Sequence, residues 1–172
     1  MSPMRVYVPT TLAALAQAHR GGELDQSAAY AVTPALREWY VSDDIEELEY
    51  AALVRAAQSS LRLLAADPGA PRRRVVVALD VPDRAVKPFG GDEYQDQASL
   101  GRVSLAEPVL LAKAAAVHAD ADEAEVTGDV ATAAGAVVAA DAGDADAQFA
   151  VDGAEDHELL WFATQEIPGL LG

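Results

Sequence analysis

The chain contains no cysteine. Disulfides, thiolate nucleophiles and cysteine-ligated zinc are excluded together. Positive charge is also scarce. Lysine occurs only at Lys87 and Lys113, and residues 101–172 hold just Arg102 and Lys113 against fourteen acidic side chains. That stretch carries a net charge of −12, out of −16 for the whole chain at pH 7. Such a field repels a phosphate backbone, so direct nucleic-acid binding is not expected; a basic protein partner would be attracted.

No long hydrophobic run is present either. The longest apolar stretch, 108–119, is broken by Lys113 and His118, and spanning a bilayer takes about 20 apolar residues. The start, Met1 to Pro9, lacks the basic segment and apolar run of a secretion signal. These absences lead to the expectation of a soluble, cytoplasmic protein with no membrane association. The nucleophile elbow G-x-S-x-G, the P-loop and G-x-G-x-x-G are missing too. No cofactor is implied.

With 172 residues the chain can bury roughly 70% of its unfolded surface, so it needs no metal or disulfide staple. Arg5-Val6-Tyr7-Val8 reads as a strand, with Thr10 or Thr11 capping a helix that ends at Gly21-Gly22. Residues 29–32 read as a second strand. Thr33-Pro34 starts a short helix to Tyr40, because Thr caps and Pro at the first helical position loses no needed N–H. A long helix is expected from Asp43 to Ala66, with Asp43 and Glu46 as a capping box and Leu53, Ala57, Leu61 and Leu64 as its buried stripe. Arg74 to Val81 is the most apolar strand and suits a central position. Residues 82–99, with two prolines, two glycines and several charges, read as a loop.

The same order is then expected to recur: strand 102–105, helix 109–115, strand 116–120, helices 122–140 and 144–152, strand 159–162 and a last turn near Pro168. The expected fold is therefore α/β (α+β): a mixed sheet of about six strands in one domain, built as two related β-α-β-α-α-β halves, 5–81 and 102–167, joined by 82–99. Tyr50 and Phe149 would be equivalent anchors beneath the sheet.

Four stretches carry a family likeness: Arg5-Val6-Tyr7-Val8-Pro9, the segment Thr33 to Tyr40 (TPALREWY), Glu46 to Leu53 (EELEYAAL) and His157 to Glu166 (HELLWFATQE). Through them the chain resembles a family of actinobacterial proteins of unknown function. The resemblance implies no activity, cofactor or catalytic residue.

Several groups look chemical. In a strand, His118, Asp120 and Asp122 share one side and could converge on a divalent ion; the simpler expectation is that Asp122 caps the next helix and no metal is bound. Asp141 to Asp146 has the acid spacing of a calcium loop's start, but positions 6 and 12 hold Asp146 and Asp152 in place of Gly and Glu. Asp156-His157-Glu158 gathers groups for acid–base chemistry, with a polar lead-in to the last strand as the plainer alternative. Arg72-Arg73-Arg74 is the one basic run; it could bind a phosphate or an acidic partner, but for at least two of its members solvation or pairing with nearby acids is the simpler expectation. A seven-residue helix buries one side only, so Trp39 and Tyr40 are not both expected to face inward; with Arg37 they are the candidate interaction residues. Two functions follow. The first is a non-enzymatic acidic protein that binds another protein, with a basic partner fitting best. The alternative is a small hydrolase or metal-assisted enzyme using His118 and Asp120, or His157.

Overall fold

The computed structural model describes residues 3–88 and 100–172. Its centre is strand β1 (Pro3–Thr10), where Val6, Tyr7 and Val8 supply the β-branched and aromatic side chains that a pleated surface packs well. Thr11 then caps α1 (Leu12–Gly21): its hydroxyl accepts from the Ala14 N–H at 3.1 Å. A two-residue strand β2 (Glu23–Leu24) and strand β3 (Ala28–Ala31) follow. Helix α2 (Pro34–Tyr40) starts as the sequence suggests, with the Thr33 hydroxyl accepting from the Leu36 N–H and Pro34 in the first turn. Helix α3 (Ile45–Ala66) is capped by Asp44, which accepts from the N–H groups of Glu46 and Glu47. The cap expected at Asp43 thus moves one residue on.

Strand β4 (Val75–Pro82) pairs antiparallel with β1 along its whole length, and Val75, Val76 and Val77 are buried on both faces. Within the expected loop, residues 83–85 form a single 3₁₀ turn and Val86–Pro88 form strand β5; positions 89–99 lie outside the described residues. The chain continues through β6 (Arg102–Leu105), β7 (Val109–Leu110) and β8 (Ala114–Ala119). It ends with α4 (Ala124–Asp141), α5 (Ala145–Gly153), β9 (Leu160–Phe162) and α6 (Ile167–Leu171). Gly101, ahead of β6, has φ +81°, and a Cβ there would meet the Ala31 carbonyl oxygen at 2.9 Å, so glycine is required for that approach.

Among the described residues, seven strands form one sheet in the order β5-β6-β3-β1-β4-β8-β9, with β2 and β7 as a separate pair. The fold is α/β as expected, and seven strands agree with the expected six or so; the one difference is that every ladder of the described residues is antiparallel. One face, with Val6, Val8, Val75, Val77, Leu79 and Val117, packs on α1 and α6. The other, with Tyr7, Tyr30, Val76 and Ala78, packs on the alanines Ala51, Ala52, Ala56 and Ala57 of α3. Helix α4 leans on the C-terminal half of α3 through Leu61, Leu64, Val126, Val130 and Val137. Each such leucine or valine contributes about 1.5–3 kcal/mol by leaving water.

The expected halves differ in order. Residues 109–115, read as a helix, are β7, a 3₁₀ turn and the first residues of β8. Alanine favours helix locally, but the open edge of β4 offers a ladder to 114–119, and pairing overrides propensity. Strand β1 lies between β3 and β4, whereas β6 lies between β5 and β3. Tyr50 and Phe149 are 51% and 82% exposed, so neither anchors the sheet.

Candidate functional site

Helix α2 is too short to bury more than one large residue. Leu36 takes that place, fully buried. Arg37 is exposed, Trp39 is 55% exposed and Tyr40 is 38% exposed. The helix stops at Val41, which is 89% exposed and sits at φ 48°, a left-handed conformation that is costly for a β-branched residue. Ile45, at the start of α3, is also exposed. Trp39, Tyr40, Val41 and Ile45 thus form a run of apolar groups facing solvent. Glu38, Asp43, Asp44, Glu46 and Glu47, all exposed, surround it in the chain.

Tyr40 also borders a cleft of about 790 Å³ along α3. Its lining includes Tyr30 from β3, Arg102 from β6, Arg55 and Arg62 from α3, and Asp141, Gln148 and Asp152 from α4 and α5. Arg55 is buried, and it donates to the Tyr40 hydroxyl at 3.4 Å. Arg62 makes two 2.8 Å bonds to Asp141. That bond raises the Arg62 guanidinium above its ordinary range, against the opposing effect of burial, and holds the Asp141 carboxyl below its own. The cluster escapes a reading along the sequence because Arg102 of β6 joins Arg55 and Arg62 of α3 only through the sheet. The available signal was Arg55 itself, a charge set among the apolar residues of α3.

Asp120 is not a free ligand. It is fully buried and accepts from the Arg74 backbone N–H at 2.7 Å, from Arg74 Nε at 2.9 Å and from Nη2 at 2.6 Å. Asp122 is exposed, and α4 is preceded by Glu123 with no side-chain cap, which corrects the expected cap at Asp122. Among the described residues, no three His, Asp or Glu side chains gather as a metal site. Arg72 bonds the Leu64, Asp67 and Ala70 carbonyls, and Arg73 donates to the Asp120 carbonyl, so the basic run is structural throughout. Asp144 caps α5. His157 Nε2 meets Asp129 Oδ2 at 2.7 Å, while Glu158 accepts from the Tyr50 hydroxyl.

His118 lies on the sheet face shared by Tyr7, whose ring centroid is 6.4 Å away. Burial, aided by the nearby Arg5 charge, lowers its pKa below 6.5. The unfolded chain therefore binds this proton at a higher pH than the fold does, and stability is lost as pH falls through about 6.5. A second loss belongs to the carboxylate range, where Arg5 holds Asp80, and Arg62 holds Asp141, below 3.8. Urea midpoints from pH 8 to pH 3 should fall in these two stages, and His118→Gln should remove His118's contribution to the first. A His118→Gln profile that still fell like the parent's between about pH 7 and 5 would refute the assignment.

No helix of the described residues is long and apolar enough to cross a membrane. Comparison with curated proteins and with solved structures finds no match for the chain. The model of a family of unknown function, DUF6912, matches residues 4–171, and the chain belongs to that family.

Proposed function

We propose that the protein works without catalysis, by binding a basic protein segment at Trp39, Tyr40, Val41 and Ile45. The observation that carries this reading is the exposure of Trp39 and Tyr40 together on a helix that buries only Leu36. Trp and Tyr are the usual anchors of protein interfaces, since each removes a large apolar area from water for few frozen torsions. The acids beside the patch select the sign of the partner. Lys or Arg side chains flanking an apolar anchor would meet Glu38, Asp43, Glu46 and Glu47, and the net charge of −16 would speed the encounter.

A photo-reactive phenylalanine analogue placed at position 39 should cross-link a basic protein in the native cell. The same group at 138, where Val138 is 79% exposed, is the control and should not. Against the partner so identified, Trp39→Ala should weaken binding by about 2 kcal/mol or more while changing unfolding by under about 1 kcal/mol. Added salt should slow association more than it speeds dissociation. Equal labelling from 39 and 138, or an acidic partner, would overturn the reading.

A further inference from the structure

We propose that strand β9 receives an extended, basic protein segment as a further strand of the sheet, added beside Trp161. The site is built on other elements than the Trp39 patch and does not depend on it. Among the described residues β9 is the last strand of the sheet, and the ladder shows which of its groups face outward. The Asp120 N–H donates to the Arg74 carbonyl at 3.1 Å, so the backbone of residue 120 bonds toward β4. Bonding directions alternate along a strand, which turns His118 toward β4 as well, and Val117 and Ala119 toward β9. Val117 stands opposite Phe162, Ala119 opposite Leu160 and His118 opposite Trp161. Phe162 and Leu160 therefore bond to β8, and the Trp161 N–H and C=O point to the open side, where an added strand takes both.

Side chains and charge select the occupant. Open edges are commonly guarded by Lys, Pro or a bulge. Leu160, Trp161 and Phe162 supply none of these, and their register with β8 is regular. Trp161 is 62% and Leu160 48% exposed, one on each face of the sheet, so a strand laid beside them covers apolar surface on both. A docking helix would leave the outward N–H and C=O without a ladder. The surroundings are acidic: residues 114–172 hold thirteen carboxylates and no lysine or arginine. Glu155, Asp156 and Glu158 precede β9 and Glu166 follows it, all exposed. Glu158 accepts from the Tyr50 hydroxyl and Glu166 from the Ala163 N–H, neutral donors that leave each charge unbalanced. Lys or Arg at alternate positions of the incoming strand would meet these carboxylates, and one beside Trp161 would place a cation on the indole. A second copy would bring the same acids to the same edge and be repelled.

The test is hydrogen exchange by NMR on the isotope-labelled full chain, with a short blocked peptide that alternates lysine and valine. In the free protein the Trp161 amide should exchange freely while those of Leu160 and Phe162 are protected. The peptide should slow exchange at Trp161 by about tenfold or more, and added salt should weaken its binding. The same peptide with glutamate for lysine, or with N-methyl groups along one edge, should lose at least about tenfold in affinity. Trp161→Pro removes the outward N–H and the indole without touching a bond to β8, and should abolish binding. Glu158→Gln, which can still accept from Tyr50, should weaken binding about threefold with the fold intact by circular dichroism. Trp39→Ala should leave the affinity unchanged. Loss of binding in Trp39→Ala but not in Trp161→Pro overturns the inference and favours the Trp39 patch. It is equally overturned by a protected Trp161 amide in the free monomer or by full binding of the methylated peptide. Sedimentation showing a dimer that Trp161→Pro disperses overturns it too, because the occupant is then a second copy.

Discussion

Asp120→Ala should lower the unfolding free energy by about 3–5 kcal/mol, the range expected when one partner of a buried ion pair is removed. Arg74 and Asp120 are 4% and 0% exposed, and the carboxylate takes three hydrogen bonds from Arg74. The same guanidinium donates to the His157 carbonyl at 2.9 Å, and Arg73 donates to the Asp120 carbonyl. The pair therefore joins the start of β4, the end of β8 and the approach to β9. Removing the carboxylate leaves a nearly buried guanidinium without its ion-pair partner. A paired replacement, Arg74→Met with Asp120→Leu, should recover most of the loss, because no orphaned charge remains. Urea denaturation of the two single variants and the double variant measures this directly. A loss below about 1 kcal/mol for Asp120→Ala would show that the charge is solvated after all.

Ser60→Ala should cost about 3 kcal/mol, although it deletes only one oxygen. Ser60 is fully buried; its hydroxyl donates to the Thr10 carbonyl at 2.7 Å and accepts from the Val75 N–H at 3.0 Å. Thr10 and Val75 are register partners at one end of the two most central strands. The serine thus ties α3 to β1 and β4 and satisfies two backbone groups that the sheet leaves open. With alanine there, both are buried without a partner, and each such group costs about 1–3 kcal/mol. Ser59→Ala, on the neighbouring and partly exposed position, should stay within about 0.5 kcal/mol. Equal losses at 59 and 60 in urea melts would refute the bridging role.

The candidate surface was legible in the sequence because its logic is local. A seven-residue helix between Thr33 and Val41 has one inward side, so counting Leu36, Trp39 and Tyr40 already shows that apolar groups must be left outside. The cleft was not legible. Arg55 and Arg62 share a helix, but Arg102 joins them only because β6 pairs with β3, at a separation no periodic pattern records. Asp120 shows the same limit in reverse. Alternation along the chain groups it with His118 and Asp122, yet its nearest chemistry is Arg74, 46 residues earlier.

By itself the sequence determined which segments are helix or strand wherever caps, prolines and apolar spacing act within a few residues: Thr11 and α1, Thr33-Pro34 and α2, the long α3, and the doubly buried β4. It also determined the absence of thiol chemistry and the acidic field. Tertiary structure alone decided that 109–115 is a 3₁₀ turn between two strand segments and not a helix, that all the ladders of the described residues run antiparallel, and that four arginines of an acidic chain line one cleft. The reason is physical. Caps and periodicity are energies between near neighbours, whereas strand partners and buried charge pairs are chosen by competition among distant segments for the same unsatisfied edge or charge.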